Sequence, residues 1–369
     1  MMVKIRLICM MLPVLLVTAC SRTSPSAEFH RLVAGFLRDH HYFEEPGDVW
    51  GTYTLDLTVE AIINYSLLTG DSSYNRDLAR FFNNRDYQQG DTVDYRKTPF
   101  SDCYFTWFLM HPDPAFKGPY IEESRKMMQD LHRTEEGAVC IHHEGGDYML
   151  IDYLQLYATR MARAGFLSGD TAFYAECISQ IRIYRDILRY DDSGLYSQGR
   201  GWLDNKRLNS PACWSRGQGW LIRGMAGSLE YLPEGSSYYK ELQGIFRNLC
   251  DALLSKQDAQ GMWHTLPCLP LDESCPEVSG TALIAQNMAK AYRMGFLAET
   301  KYRDAALHAM QGIKDYIDRD GNISHISKGP GPLRETGPWK GKGEINNPHG
   351  LPAVLFALTE EILIKHEMF

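Results

Sequence analysis

Asp192-Ser193-Gly194-Leu195-Tyr196 is one of four stretches in which a polar cluster meets a glycine that is followed by apolar residues. The others are Glu135-Glu136-Gly137-Ala138-Val139, Ala259-Gln260-Gly261-Met262-Trp263 and Arg319-Asp320-Gly321-Asn322-Ile323, with the glycines at intervals of about 60 residues. Such an interval holds two helices and their loops. Helical spacing of apolar residues fills the gaps: Leu55 to Leu68, Phe105 to Met110, Leu150 to Ala164, Phe173 to Leu188, Leu221 to Leu232, Leu242 to Leu254, Leu283 to Leu297, Tyr302 to Ile317 and Val354 to Ile364. Strand alternation is scarce. A repeated helix pair must bury its apolar stripe against neighbours, and about six pairs use up the chain. Closing the row into a ring removes the exposed ends. The expectation is an all-α fold, an (α/α)6 barrel of helical hairpins, with the loops after the glycine turns gathered at one mouth. An open tetratricopeptide-type superhelix has a period of about 34 residues, which does not match.

The first residues carry an address. Lys4 and Arg6 precede an apolar run from Leu7 to Ala19 that is short for a membrane span and ends in Val17-Thr18-Ala19-Cys20. Residues 1–19 read as a bacterial lipoprotein signal, Cys20 as the lipidated N-terminus, and 20–26 as a flexible tether. Residues 27–369 then form one domain, since no internal linker or charge block divides them. The expected setting is periplasm-facing or anchored in the outer membrane, with contact to the membrane through the lipid alone. An ordinary secretory signal is the alternative.

A net charge of −8 and a pI near 5.9 argue against a nucleic-acid partner. Setting aside Cys9 and Cys20, seven of the nine cysteines remain, an odd number that cannot all pair. Cys268 and Cys275 flank a Pro-rich loop and are candidates for a bridge, while Cys103, Cys177 and Cys250 read as small buried hydrophobes. No Cys/His set has zinc-site spacing, so no metal is expected.

Trp214-Ser215-Arg216-Gly217-Gln218-Gly219-Trp220 concentrates chemistry. Glycines let another molecule approach the backbone, and Arg216 and Trp220 share a face if the segment opens a helix. A guanidinium fork would then grip a carboxylate beside a flat ring suited to a pyranose. A tightly packed helix start, with Trp220 in the core and Arg216 in a structural ion pair, explains the same residues.

The heptapeptide resembles the W-x-R-G-[NQ]-G-W signature of unsaturated glucuronyl and rhamnogalacturonyl hydrolases, glycoside hydrolase families 88 and 105. Glu277-Val278-Ser279-Gly280-Thr281-Ala282 is similar to their E-x-S-G-T-A, and Asp192 to Gly199 to their D-x-x-G-L-Y-x-H-G turn, with Gln198 in place of the histidine. Ile151-Asp152 lies where these proteins keep a catalytic aspartate, and Asp102 where they have a second. The resemblance implies an (α/α)6 barrel that hydrates the C4=C5 double bond of a terminal unsaturated uronic acid in lyase-generated oligosaccharides. It implies Asp152 as general acid and base, Arg216 as the carboxylate ligand, and Trp214, Trp220 and Trp50 as apolar walls, without any cofactor.

Asp152 stands among apolar residues, where burial and a neighbouring carboxylate would raise its pKa. Asp102 is the candidate helper and equally a helix N-cap. Gln198, His142, His143 and Thr281 complete the candidate substrate contacts. Two other readings stay open: a barrel hydrolase of a saturated glycan using Asp102 and Asp152 as paired carboxylates, and a non-catalytic lipoprotein that captures glycans.

Overall fold

Ser24 precedes the first described helix: its hydroxyl accepts from Ala27 N at 3.2 Å, and Pro25 follows as the first helical residue, where its missing N–H costs nothing. Helix α1 (Pro25–Asp39) thus takes in the last two residues assigned to the tether. The computed structural model describes residues 24–39, 49–84, 103–143, 145–328, 335–337 and 340–367. Cys20 and Asp102 lie outside the described residues, and Trp50 and His143 are described in their backbone alone.

Eleven further α-helices follow among the described residues: α2 (Val49–Thr69), α3 (Asn75–Asn84), α4 (Cys103–Met110), α5 (Pro114–Asp130), α6 (Tyr153–Ser168), α7 (Thr171–Leu188), α8 (Ser215–Leu229), α9 (Ser237–Leu254), α10 (Val278–Arg293), α11 (Thr300–Lys314) and α12 (Gly350–Glu367). Between α5 and α6 stand strands β1 (Ile141–His143) and β2 (Gly146–Leu150), and β3 (Gly199–Arg200) joins the far side of β2, all antiparallel.

Even-numbered helices pack in a ring. α4 lies on α2, α6 on α8, α8 on α10, α10 on α12, and α12 returns to α2, bringing the last helix of the chain against the second. Odd-numbered helices form an outer layer, with α1 on α12, α5 and α7 on α6, α9 on α8 and α11 on α10. This is the expected barrel of hairpins. Inner helices are covered on nearly all sides: every residue of α10 from Val278 to Ala289 is buried. Buried charge is paired across this layer where Arg223 of α8 reaches Glu60 of α2 at 2.9 Å and lies over Phe356 of α12.

The four recurrent glycines mark related turns, the second being one residue longer between its bonded ends than the other three. Gly137, Gly194, Gly261 and Gly321 have φ of 88°, 83°, 85° and 91°, a region that β-carbons disfavour. Each closes the loop after an outer helix with a backbone bond across it, Thr134 N to Ala138 O, Tyr190 N to Leu195 O, Asp258 N to Met262 O and Asp318 N to Asn322 O, at 2.8 to 3.0 Å. From these turns the chain runs to the N-terminus of the next inner helix.

The cysteines depart from expectation in one pairing. Cys268 bridges to Cys213 rather than to Cys275, which stays free and half-buried. Cys213 lies in the loop entering α8, whose backbone N–H donates to Cys268 Sγ at 3.4 Å, so the two loops are already side by side. Cys103, Cys177 and Cys250 are buried thiols, as read from their helical settings.

Candidate active site

The loops entering α6, α8, α10 and α12 are bonded into one rim. Ile151 N donates to Gln198 O (2.9 Å), Gln198 N to Ala212 O (2.9 Å), Ser215 N to Thr265 O (3.0 Å), Glu277 N to Trp263 O (3.0 Å) and Val278 N to His325 O (2.9 Å). The N-termini of these inner helices thereby converge, and their dipoles favour an anion.

Asp152 is the residue before α6. It is 7 % exposed, its side chain makes no capping bond, and Oδ2 has no hydrogen-bond partner among the described residues. Burial pushes its carboxyl up to about 6, against the pull of the Arg216 guanidinium. Burial alone suffices for this rise. A β-carbon on Gly217 would stand 4.0 Å from Asp152 Oδ2, so the carboxyl faces the first turn of α8.

Arg216 opens that turn and is fully buried. Its Nη1 donates to Ser279 Oγ (3.0 Å), Ser327 O (2.7 Å) and Ser327 Oγ (3.2 Å), and Glu277 Oε1 lies 4.0 Å away. Nε and Nη2 have no partner among the described residues. One edge of the guanidinium is anchored and the other is left over for a ligand, a costly state for a buried cation unless an acceptor arrives. Burial lowers its pKa, with Glu277, Tyr53 and Asp152 opposing.

The tryptophans divide. Trp214 lies under the guanidinium, 4.3 Å from Arg216 Cζ to the ring centre, and its Nε1 donates to Ser327 Oγ at 2.9 Å. It orients the arginine. Trp220, one turn on along α8, is buried in the main core. Trp50 falls in the first turn of α2.

Glu277 caps α10 and is the knot of the rim. Its carboxylate accepts from the N–H and hydroxyl of Ser279, from Gly280 N, from Ser215 Oγ and from Ser327 N. Thr281, expected to face the sugar, is fully buried with its hydroxyl held by Trp263 N, Trp263 O and Glu277 O, so it clamps the loop entering α10. Glycines of the motifs also serve contacts within the chain rather than leaving room for another molecule. A β-carbon at Gly280 would stand 2.6 Å from Arg216 N, and one at Gly219 would stand 2.8 Å from Leu283 Cβ. Gly280→Ala is expected to destabilise the protein by about 1–3 kcal/mol and to lower kcat/KM by displacing Arg216. Urea unfolding checks this; an unmoved midpoint would show that the α8–α10 contact is not tight.

Gln198 is buried, and its backbone brackets the Ile151-Asp152 corner. Gln218 of the signature pins the same loop, accepting from Tyr196 N (3.2 Å) and donating to Tyr196 O (2.7 Å). His142 is exposed and its Nδ1 meets Asp147 Oδ1 at 2.7 Å.

Two residues join the site that the sequence reading did not single out. Tyr53, in the first turns of α2, is buried within electrostatic reach of Arg216 and Asp152, and burial holds its hydroxyl protonated. His349, the residue before α12, has its ring edge-on to Tyr53 (5.3 Å between centres), its Nδ1 2.7 Å from Asn347 Oδ1, and a pKa pushed well below the usual value by burial and by Arg216. It is neutral at working pH. The signal was in the repeat: His349 occupies the position ahead of its inner helix that Asp152 and Glu277 occupy ahead of theirs.

The sequence profile described as Glycosyl Hydrolase Family 88 matches residues 30–364. The chain is 27 % identical over 138 residues to an unsaturated 3S-rhamnoglycuronyl hydrolase of Alteromonas sp. (strain LOR), and 28 % identical over 192 residues to an unsaturated rhamnogalacturonyl hydrolase of Bacillus subtilis (strain 168). These matches cover 37 % and 51 % of this chain but only 32 % and 52 % of those relatives, so the chain spans about half of their length or less. A family 105 glycoside hydrolase of C. acetobutylicum ATCC 824 superposes with a TM-score of 0.75 at 20 % identity, over 91 % of this chain and 99 % of that one, which shows the shared fold. With a profile match running through nearly every helix of the ring and over the whole rim, the chain belongs to glycosyl hydrolase family 88.

Proposed function

We propose that the protein removes a terminal unsaturated uronic acid from lyase-generated oligosaccharides by hydrating its C4=C5 double bond. One observation carries this reading: a buried carboxyl that holds a proton near pH 6 shares a site with a buried guanidinium that has two donor nitrogens, Nε and Nη2, to spare. The names of the curated relatives support it.

The uronate carboxylate accepts from Nε and Nη2 of Arg216, which fixes the ring and draws charge from the conjugated enol ether. Asp152 donates its proton to C4, and a water adds its oxygen to C5 while returning a proton to the Asp152 carboxylate. The resulting hemiketal opens to a ketone at C5 and a hemiacetal at C1, which expels the next sugar. Tyr53 and neutral His349 stand beside the guanidinium as uncharged walls, so they do not compete with the substrate for its charge. The scheme calls for no cofactor. We propose further, from the reading of residues 1–20 as a lipoprotein signal, that the protein works on a lipid tether facing the periplasm or the outer surface, a setting in which a Cys213–Cys268 bridge is stable.

The test follows the absorbance of the conjugated double bond in oligosaccharides cut by lyases from pectin, ulvan and glycosaminoglycans. Wild type should abolish it for at least one class while Asp152→Asn does not. Equal loss in both would remove Asp152 from the reaction, and tight binding without loss would make the protein a capture lipoprotein.

A further inference from the structure

The hairpin that delivers Asp152 carries a second constellation. His132 Nε2 and His142 Nδ1 both point at Asp147 Oδ1, at 2.9 and 2.7 Å, and their rings lie 4.3 Å apart. The thiol of Cys140 closes the group, the ligand atoms of His132, Cys140 and Asp147 all lying within 4.8 Å of one another.

Backbone bonds hold these four residues in place. Cys140 N donates to His132 O at 3.0 Å across the turn at Gly137, and β1 pairs with β2 so that His142 stands opposite Asp147. Two imidazole nitrogens aimed at one carboxylate oxygen, with a thiol beside them, make the donor set N2SO. Such atoms around a tetrahedral ion stand about 3.5 Å apart, so His132, Cys140 and Asp147 need to move by about 1 Å to close on one, with His142 as the fourth donor beside Asp147. The half-exposed rings of His132 and His142 are free to supply it.

We propose that His132, Cys140, His142 and Asp147 form a transition-metal site, best suited to Zn(II), that locks the β1–β2 hairpin leading into Asp152. One thiolate and one carboxylate balance the charge of a divalent ion, and the mixed soft and hard donors fit Zn(II) better than Mg(II) or Ca(II). Binding releases the Cys140 proton to solvent. The metal stands apart from the hydration chemistry and acts on the rigidity of the strand that ends at Leu150, two residues before Asp152. As a ligand, His142 is not a sugar contact.

Dialysis of the tag-free mature chain against chelator, followed by titration with Co(II) and Zn(II), tests this. One equivalent of Co(II) should bind with a near-ultraviolet thiolate-to-metal charge-transfer band and strong visible bands of a tetrahedral ion, and Zn(II) should displace it and raise Tm. In Cys140→Ser the charge-transfer band should vanish. His132→Gln and Asp147→Asn, at partly exposed positions that leave the core intact, should weaken Zn(II) binding at least about tenfold. Failure of wild type to bind a stoichiometric ion overturns the proposal, as does undiminished binding in His132→Gln and Asp147→Asn. A charge-transfer band that persists in Cys140→Ser would assign the thiolate elsewhere, for which half-buried Cys275 is the alternative, and would equally overturn it.

Discussion

Asp152→Asn is expected to lower kcat on unsaturated oligosaccharides on the order of 10³-fold while leaving substrate binding within a few-fold, since the amide fills the same space but cannot give up a proton to C4. The same substitution should stabilise the protein. In the folded state the carboxyl titrates near 6, above its ordinary value of 3.8. Between those values the folded chain keeps a proton that the unfolded chain loses, so wild-type stability falls as pH rises through this window. The full loss is about 3 kcal/mol and is complete by about pH 7. The asparagine variant has no such loss, and its advantage in urea or thermal unfolding should grow from pH 4 to pH 7. Parallel stability profiles for the two proteins would mean that Asp152 is not desolvated in the folded state. Activity shares the sign: kcat/KM of wild type should decline above about pH 6 as the acid form disappears.

Arg216→Met is expected to reduce kcat/KM by about 10²- to 10³-fold, chiefly through KM, because two charge-assisted bonds to the uronate vanish together. The fold should survive, as Glu277 keeps its bonds to Ser279, Gly280, Ser215 and Ser327 without the guanidinium. Arg216→Lys should recover little, since one ammonium cannot hold Ser279 and Ser327 and also present two parallel donors. A second consequence separates binding from chemistry. Arg216 is the charge that holds the Asp152 pKa down, so its removal should move the alkaline limb of the pH profile upward. Steady-state kinetics from pH 4 to 8 checks both, and a pH limb that stays in place would show that the two groups do not face each other.

The barrel was legible because its signals are local and repeated. Four glycine turns and nine helical stretches need only the residues around them, and each recurs in the structure. Helices α1, α3 and α5 were missed, and of these α5 carries Gly118 and Pro119, which interrupt its helical pattern. Ring closure, by contrast, is a non-local event. It brings Tyr53 of α2 within electrostatic reach of Arg216, which no spacing in that segment foretells, whereas His349 had a signal in its place ahead of an inner helix. The cysteine pairing failed in the same way, because Cys213 reaches Cys268 only after the loops entering α8 and α10 have been laid side by side.

Motif residues were legible in place and only partly in role. Asp152 and Arg216 read correctly as neighbours across distant parts of the chain, yet Thr281 and the signature glycines turned out to hold the rim together. Polar residues at the start of a buried helix must satisfy the helix first, and Glu277 shows how many bonds that can absorb. Asp152 Oδ2 and Arg216 Nε and Nη2 are among the buried polar atoms without a partner among the described residues, and the proposed reaction draws on that capacity.

Turnover in D2O, followed by NMR of the released sugar, puts the central claim to its most direct test. Protonation of C4 by Asp152 predicts one deuterium at C4 of the product, a ketone at C5 and no remaining double bond. A released uronic acid that still carries its C4=C5 bond and no C4 deuterium would show ordinary glycosidic cleavage and contradict the hydration mechanism.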